Sequence, residues 1–305
     1  MQESVKFLNR DWEVAANLHL PDNLDKTKKY AAIVCVHPGS SVKEQTAGLY
    51  AAELSAAGFI AIAFDASFQG ESGGIPRYLE DPATRVEDIR CAVDYLTTLD
   101  FVDKERIGVL GVCAGGGYAA NAALTERRIK AVVAVSPANI GRAYRENSTI
   151  ETLEAVSRQR TAEANGAVPL SINWTPASAE AAKQAGMTDP DLLEAIDYYR
   201  TPRGEHPNAN NQLRFTSITA IMSFDAFHLA EYLLTQPLLV IVGDRVGSFG
   251  GYRDGFELYN KAASKEKRIH TVKGAGHYDL YDQPAATTEA VGQLVPFLQK
   301  ALSAE

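Results

Sequence analysis

The sequence predicts an α/β protein with a mostly parallel, doubly wound sheet and helices on both of its faces. Short, nearly continuous apolar runs recur along the chain, which is typical of strands that are buried on both faces of a parallel sheet. Segments with helical periodicity lie between these runs, and this alternation predicts parallel strands joined by helices. The 305 residues include 46% hydrophobic and 22% charged side chains, ordinary proportions for a globular protein with a large core.

The individual strands are predicted from their apolar patterns. Two alternating runs, at residues 5–8 and 12–20, predict an antiparallel pair at the start of the chain. The remaining strands are predicted at residues 31–36, 59–64, 106–112, 130–135, 237–243 and 267–272. The helices of the same unit are predicted at residues 44–57, 85–99, 115–124, 252–263 and 284–301. These elements define a predicted core made of residues 1–138 and 233–305.

The alternation of strand and helix fails between the two parts of this core, at residues 139–232. Helical patterns recur there at residues 150–164, 177–185 and 189–199, with polar loops between them. A structureless loop of this length is uncommon inside a compact domain. We therefore interpret the stretch as an inserted helical cap, and the alternative is a run of additional core helices.

Charge and composition exclude several classes of protein. The chain carries 30 basic and 38 acidic side chains, a formal net charge of −8, so no nucleic-acid partner is expected. The N-terminus lacks the basic start and apolar run of a secretory signal, and no stretch approaches the ~18 apolar residues of a membrane span. We therefore expect a cytoplasmic protein without a membrane partner. Its three cysteines are too few and too widely spaced for a disulfide framework.

The most informative segment runs from a predicted buried strand through Cys113 into a predicted helix. Residues 111–115 read GVCAG, which fits the nucleophile-elbow pattern with cysteine in the place of serine. The turn would place the thiol at a helix N-terminus, whose partial positive charge stabilises a thiolate. Cys113 is therefore the candidate nucleophile. Cys35 lies inside an apolar strand and Cys91 in an amphipathic helix, where cysteine usually acts as a small hydrophobic residue.

A thiol nucleophile needs a base and an acid that orients the base, and in this kind of sheet the acid and then the histidine follow the nucleophile. Asp244 directly follows the run at 237–243, at the edge where open α/β sheets assemble their sites. His277 lies in the loop after the last predicted strand. Asp65 is the alternative acid, but it precedes the nucleophile and is more typical of a residue that holds the loop after its own strand.

The loop that begins at His37 and reads HPGSS follows another predicted buried strand. A loop in this position supplies one backbone N–H of an oxyanion hole, and the residue after the nucleophile supplies the other. Since proline has no N–H, Gly39 or Ser40 is the candidate donor, paired with Ala114. The alternative is a plain turn.

The cap carries more aromatic side chains than a solvated connection needs. Small-molecule pockets are mostly apolar with a few polar groups, so these aromatics are expected to form the roof of a substrate pocket. The pocket is predicted to contain His37 and the cap residues Trp174, Phe215, Phe224 and Phe227. For each aromatic residue taken alone, ordinary packing inside the cap is the alternative.

Three segments together, HPGSSVKEQTAGLY, FDASFQGESGG and GVCAGGGY, resemble a known family. The chain resembles the α/β-hydrolase superfamily, in particular its dienelactone hydrolase-like branch with a cysteine nucleophile, and is similar to the bacterial YcjY-type hydrolases. The resemblance implies an α/β-hydrolase fold over both parts of the core and a triad of Cys113, Asp244 and His277. It does not cover the cap, which dienelactone hydrolases proper lack. Glu44 matches only loosely the glutamate that controls their thiol.

The function predicted from the sequence is hydrolysis of a small ester, lactone or thioester through an acyl-cysteine intermediate. Cys113 would attack the carbonyl carbon, and His277, oriented by Asp244, would protonate the leaving group and then activate water. This chemistry needs no metal or organic cofactor, and the expected partner is a small-molecule acyl substrate. The alternatives are an acyltransferase with the same triad and a non-enzymatic ligand-binding or thiol-sensing protein. The sequence leaves open whether the chain forms a homo-oligomer.

Overall fold

A computed structural model describes residues 1–304, and its main feature is an eight-stranded sheet. The strands of the chain are β1 (Gln2–Asn9), β2 (Trp12–His19), β3 (Tyr30–Val36), β4 (Ile60–Phe64), β5 (Val102–Val112), β6 (Ile129–Val135), β7 (Ser171–Asn173), β8 (Gln212–Arg214), β9 (Leu238–Gly243) and β10 (Lys267–Val272). The large sheet has the order β1-β2-β4-β3-β5-β6-β9-β10, and β7 and β8 pair separately. Every strand of the predicted core is present.

Twelve helices are described in residues 1–304. They are α1 (Thr46–Ala56), α2 (Pro82–Thr97), α3 (Ala114–Thr125), α4 (Ile140–Asn147), α5 (Ile150–Ala164), α6 (Ala179–Gln184), α7 (Pro190–Arg200), α8 (Ser217–Ser223), α9 (Ala230–Leu233), α10 (Gly251–Lys261), α11 (Asp279–Asp282) and α12 (Pro284–Ala301). In this part of the chain, no helix combines the length and the apolar character that crossing a membrane requires.

The sheet is parallel from β4 to β10, and β2 pairs antiparallel with both β1 and β4. Successive side chains of β3 point to opposite faces: Val34 packs against the layer that contains α2, α3 and α10, whereas Ile33 and Cys35 pack against the layer of α1, α11 and α12. Both faces are therefore covered, which explains the continuous apolar runs of the sequence. The fold is the doubly wound α/β arrangement that the sequence predicts.

The stretch between β6 and β9 contains more structure than the sequence indicates. The predicted helices at 150–164, 177–185 and 189–199 correspond to α5, α6 and α7. The structure adds the short helices α4, α8 and α9 and the antiparallel pair β7–β8. β7 and β8 have three residues each and α9 has four, which is too short to show a hydrophobic period, whereas α4 has eight residues.

Parallel strands direct their carboxyl ends to one edge of the sheet, and the candidate residues follow these ends. Cys113 follows β5, Gly39 lies in the loop after β3, and His277 lies in the loop after β10. The stretch from α4 to α9 reaches the same edge, because Trp174 and Tyr199 line a cavity together with Cys113. The topology thus assembles the site from segments that are distant in sequence.

Candidate active site

Cys113 lies on a strained turn between β5 and α3. Its backbone has φ 55° and ψ −125°, a positive φ that side chains other than glycine rarely adopt. A Cβ atom at Gly111 would overlap the carbonyl oxygen of Gly115, and a Cβ atom at Gly115 would overlap that of Val36. Glycine is therefore required at both positions. The residue identities and the backbone geometry together form the elbow that the sequence predicts.

The surroundings of Cys113 favour its thiolate. Burial raises the pKa of the thiol, but the charge of His277 and hydrogen bonds from His277, Tyr281 and the backbone N–H of Ala114 outweigh burial, so that the pKa lies below its usual value. The other two cysteines differ. Burial raises the pKa of Cys35 strongly and, with nearby acidic side chains, raises the pKa of Cys91 to about 12.

His277 is held by aromatic side chains on three sides. The ring centroids of Phe249, Tyr278 and Tyr281 lie 5.8, 5.2 and 5.5 Å from that of the imidazole. Nε2 lies 3.3 Å from the hydroxyl oxygen of Tyr281, on the side of Cys113. Burial, followed by the charge of Cys113, raises the pKa of Tyr281 far above its usual value, so this hydroxyl stays protonated.

The structure does not bring Asp244 to His277, which corrects the sequence-based assignment of the orienting acid. Asp244 is exposed, and its Oδ1 accepts a hydrogen bond of 2.6 Å from the backbone N–H of Gly274. The carboxylate therefore joins the loop after β9 to the loop after β10 at the surface. Nδ1 of His277 is buried and has no hydrogen-bond partner within residues 1–304. Asp244 follows the expected strand, but its carboxylate bonds to Gly274 and not to the imidazole.

The loop after β3 contributes Gly39 and Ser40 to the same cavity as Cys113 and Ala114. Ala114 is the first residue of α3, where a backbone N–H has no acceptor inside the helix. Ser40 has φ 58°, and the hydroxyl of Tyr199 donates a hydrogen bond of 3.3 Å to the carbonyl oxygen of Gly39. These contacts hold the predicted oxyanion residues at the cavity wall beside the thiol.

The cavity above Cys113 has a volume of about 550 Å³ and a mostly apolar wall. Of the predicted pocket residues, Trp174 lines it, and its indole lies so close to Gly39 that a Cβ atom there would be 3.2 Å away. His37, Phe215, Phe224 and Phe227 do not line it. Among the lining residues that the sequence did not indicate are Ile140, Tyr144, Asn147, Thr175, Leu192, Tyr199, Phe249, Tyr278 and Tyr281.

Phe215, Phe224 and Phe227, which were predicted to line the pocket, have structural roles elsewhere in the fold. Phe227 is completely buried in the core that α3 shares, and Phe224 packs on Tyr118 with ring centroids 5.5 Å apart. Phe215 follows β8, and its backbone N–H donates to the carbonyl oxygen of Leu170. Phe224 and Phe227 thus use their rings for packing, whereas Phe215 is placed by its backbone.

His37 and Asp65 also have structural roles. Nε2 of the buried His37 accepts a hydrogen bond of 3.0 Å from the backbone N–H of Ala66. The fully buried Asp65 accepts bonds from the backbone N–H and Nζ of Lys43, at 2.8 and 3.0 Å, and from the backbone N–H of Glu71. Asp65 thus holds the loop after β4, as the sequence suggested.

Glu44, the loose match to a thiol-controlling glutamate, lies outside the cavity of Cys113. Its carboxylate is 2.6 Å from Nζ of Lys43 and 3.9 Å from Nδ1 of His206. These contacts make Glu44 part of the ion-pair cluster around Lys43.

Comparison with protein-family models identifies the family. Residues 27–284 match the family described as serine aminopeptidase, S33. The chain belongs to this family of α/β-hydrolases. The predictions of the α/β-hydrolase fold and of a hydrolase are therefore confirmed. The family name refers to serine, whereas this hydrolase has Cys113 at its elbow.

Individual relatives align with most or nearly all of this hydrolase. Protein YcjY of Escherichia coli (strain K12) is 44% identical over 313 residues, which cover 99% of this chain and 100% of YcjY. The crystal structure of protein PA2218 from Pseudomonas aeruginosa has a TM-score of 0.87 and 32% identity, covering 99% of this chain and 94% of that one. A thiohydrolase of Eupenicillium brefeldianum is 26% identical over 278 residues, 89% of this chain and 87% of its own.

Sequence reasoning missed the aromatic side chains that surround Cys113 and His277. Tyr278 and Tyr281 follow His277 at the next and the fourth position, so a short helix after the histidine brings the second ring back onto the imidazole. This spacing was a usable signal. Tyr144, Tyr199 and Phe249 reach the site only through the tertiary fold, and no local pattern marks them.

Proposed function

We propose that this hydrolase cleaves small esters, lactones or thioesters through an acyl-cysteine intermediate on Cys113, as a cysteine-dependent member of the dienelactone hydrolase-like branch. One observation carries the proposal. A thiol whose pKa is lowered by His277 lies on a strained elbow and faces a cavity of about 550 Å³. A buried structural cysteine would need neither the strained backbone nor the paired imidazole.

In the first half of the reaction, the Cys113 thiolate attacks the carbonyl carbon and forms a C–S bond. The carbonyl oxygen takes the negative charge and accepts hydrogen bonds from the N–H of Ala114 and from that of Gly39 or Ser40. The bond to the leaving group then breaks, and Nε2 of His277 gives its proton to the departing oxygen or sulfur. The products of this half are the acyl-enzyme and an alcohol or thiol.

In the second half, neutral His277 removes a proton from water, and the oxygen attacks the acyl carbon. The C–S bond breaks, its electron pair returns to the sulfur, and a carboxylic acid leaves. The thiolate and the protonated imidazole are thereby restored. Tyr281 stays neutral throughout because of its raised pKa, so its hydroxyl acts as a hydrogen-bond partner of the pair.

The cavity indicates the size and polarity of the substrate. A volume of about 550 Å³ accommodates a modest acyl group together with part of its leaving group. Asp189 is the one charged side chain on its wall within residues 1–304, and it caps α7 by accepting a hydrogen bond from the N–H of Leu192. Neutral acyl groups therefore fit better than anionic ones. The relative named thiohydrolase supports including thioesters.

The proposal is tested with a panel of p-nitrophenyl esters, lactones and acyl thioesters, assayed with the wild type, Cys113→Ala and the matched control Cys91→Ala. The rate of hydrolysis of one substrate class should fall in Cys113→Ala by a factor on the order of 10³ or more, and it should stay at the wild-type level in Cys91→Ala. Mass spectrometry of a quenched reaction should show the acyl group on the peptide that contains Cys113.

Two other outcomes would change the proposal. If Cys113→Ala retains wild-type rates, the nucleophile is wrong. If an added alcohol or thiol captures most of the acyl group in place of water, the reaction is acyl transfer from the same intermediate.

A further inference from the structure

We infer that Asp191, on cap helix α7, is the acid that positions His277, and that it acts through one water molecule bound in a small cavity between the two side chains. The inference rests on the proposed function for the pairing of Cys113 with His277. It replaces the acid that the sequence placed at Asp244, and it assigns to the cap a part in the chemistry of the sheet.

The first observation is the imidazole itself. His277 is 5% exposed, and its Nε2 lies 3.3 Å from the hydroxyl oxygen of Tyr281, which also bonds to Cys113. Its Nδ1 is buried without a hydrogen-bond partner in residues 1–304. A buried polar atom without a partner is rare because it loses its hydrogen bonds to water. The imidazole therefore has a hydrogen-bond partner at Nε2 and none at Nδ1 within residues 1–304.

The unsatisfied side faces a second cavity, separate from the substrate cavity. Its walls include His277, Asp191, Ser136, Gly243 and Gly251. The space open to the centre of a water molecule is about 10 Å³, which is the room that one buried water needs. A buried water also needs two to four polar partners. Nδ1 of His277 and the carboxylate of Asp191 supply two of them.

Asp191 is held in place from a second direction. It is 3% exposed, and its Oδ2 accepts a hydrogen bond of 2.8 Å from the backbone N–H of Phe249, which leaves Oδ1 for a further donor. Phe249 also packs edge-on against the His277 ring. The same residue therefore fixes both the carboxylate and the imidazole.

The other charged groups near the cavity do not neutralise Asp191 directly. Arg245 is the cation on the cavity wall, but its guanidinium forms ion pairs with Glu194 and, at 3.0 Å, with Asp279. Asp189 adds a second negative charge from the start of α7, and Tyr252 contributes a neutral ring from α10. Burial is the main cause that raises the pKa of Asp191, with the charge of Asp189 acting in the same direction.

A carboxylate in this position has a defined effect on the thiol. Through the water it accepts the Nδ1 proton, fixes the tautomer that leaves Nε2 for the sulfur, and stabilises the imidazolium that forms when the thiol loses its proton. Asp191 lines the cavity beside His277, whereas Nε2 lies next to the hydroxyl of Tyr281, which bonds to Cys113, so the carboxylate stabilises the imidazolium more than it repels the thiolate. Removing its charge should therefore make the thiolate harder to form.

The test measures the pH dependence of Cys113 alkylation by iodoacetamide, with mass mapping, in the wild type, Asp191→Asn and the control Asp244→Asn. In Asp191→Asn the midpoint should rise by about one pH unit. In the same variant kcat should fall by about 10- to 100-fold with little change in KM, less than the ~10⁴ that follows loss of a directly bonded acid. Asp244→Asn should leave the midpoint of alkylation unchanged and should change kcat less than twofold.

A second variant keeps Asp191 and removes the water. A Cβ atom at Gly251 would lie 2.8 Å from Nδ1 of His277, so Gly251→Ala should fill the cavity and also raise the midpoint. If Asp191→Asn does not fold, as judged by thermal unfolding, the alkylation midpoint of Gly251→Ala tests the inference in its place. An unchanged midpoint in folded Asp191→Asn, or a large rise in Asp244→Asn alone, would overturn the inference.

The alkylation assay needs no substrate, so the two proposals can fail separately. A chain that hydrolyses nothing, yet shows the expected shift in Asp191→Asn, would refute the proposed function and support the inference. A chain that hydrolyses thioesters through Cys113 with an unshifted midpoint in Asp191→Asn would do the reverse.

Discussion

The floor and the roof of the substrate cavity are held in place by different means. The floor consists of Cys113, Ala114 and the loop at Gly39 and Ser40, and backbone atoms of parallel strands and a helix fix its geometry. The roof consists of side chains from residues 139–232 on short elements, including α4 and a two-stranded sheet of three-residue strands. At Gly115, below the floor, an added methyl group would overlap the backbone carbonyl oxygen of Val36, whereas the roof above Gly39 is formed by the side chain of Trp174.

This difference indicates how each part responds to change. Backbone atoms in a sheet cannot move independently, so an error in the floor displaces the thiol of Cys113. Side chains in the roof can repack, so changes there should alter which substrates fit before they alter the chemistry. The four predictions below test this contrast, beginning with the largest expected effect.

The thiol of the floor should be far more reactive than the other cysteines. The pKa of Cys113 is lowered and that of Cys91 is raised to about 12, so at pH 7 the thiolate fraction of Cys113 is larger by a factor of ~10³ or more. Iodoacetamide should therefore alkylate Cys113 first, with a rate midpoint below the ~8.5 of an ordinary thiol. Mass mapping over a pH series measures this, and earlier labelling of Cys35 or Cys91 would contradict it.

Gly115→Ala should damage the floor. Its Cβ atom would overlap the carbonyl oxygen of Val36, so we expect a loss of about 3 kcal/mol in the free energy of unfolding and a fall in turnover of about 100-fold. Gly292→Ala, in α12, has nothing within 4 Å of the new methyl group and should gain about 0.5–1 kcal/mol without changing turnover. Denaturant unfolding and steady-state kinetics test the pair; equal stabilities would argue against a rigid floor.

Trp174→Ala should change selectivity in the roof. Its indole lies over Gly39, and removing it enlarges the cavity, so the ratio of kcat/KM for longer over shorter acyl groups should rise by about 10-fold. Phe227→Ala is the control: Phe227 is completely buried outside the cavity and should cost about 3–5 kcal/mol of stability with an unchanged ratio. An unchanged ratio in folded Trp174→Ala would assign the indole to packing alone.

Glu44→Gln should have the smallest effect. Glu44 pairs with Lys43 outside the cavity, so the alkylation rate of Cys113 should change less than twofold, and stability by at most about 0.5 kcal/mol. A clear rise in thiol reactivity in this variant would show that the ion-pair cluster around Lys43 controls the thiol after all.

The same contrast explains how much the sequence could predict. The strands of the sheet, Cys113 and its two glycines depend on contiguous residues, so periodicity and one short pattern were sufficient. His277 was predictable because a loop after a strand has a defined place at the edge of the sheet. Which residues line the roof depends on the direction in which each side chain points, and amino-acid composition does not give that direction. Phe224 and Phe227 were placed in the pocket for their aromatic character, yet both point into packing contacts.

The position of the acid shows a second limit. Asp244 follows the expected strand, but the turn after β9 directs its carboxylate to the N–H of Gly274. Asp191, the acid inferred above, lies in α7 and shares a small cavity with His277 only because of the tertiary fold. A rule based on the order of residues along the chain could not identify it.

The place of Trp174 gives the protein an optical reporter of its own. The chain has two tryptophans, and Trp12 packs on Phe68 with its indole N–H bonded to Ser67, outside the cavity lining. Trp174 lies on the wall of the cavity above Cys113, and its indole nitrogen is buried with no hydrogen-bond partner among residues 1–304. In a Trp12→Phe background, all indole fluorescence would therefore come from the wall of this cavity, above Gly39. Emission from this single ring would report the arrival of a ligand before any bond is broken.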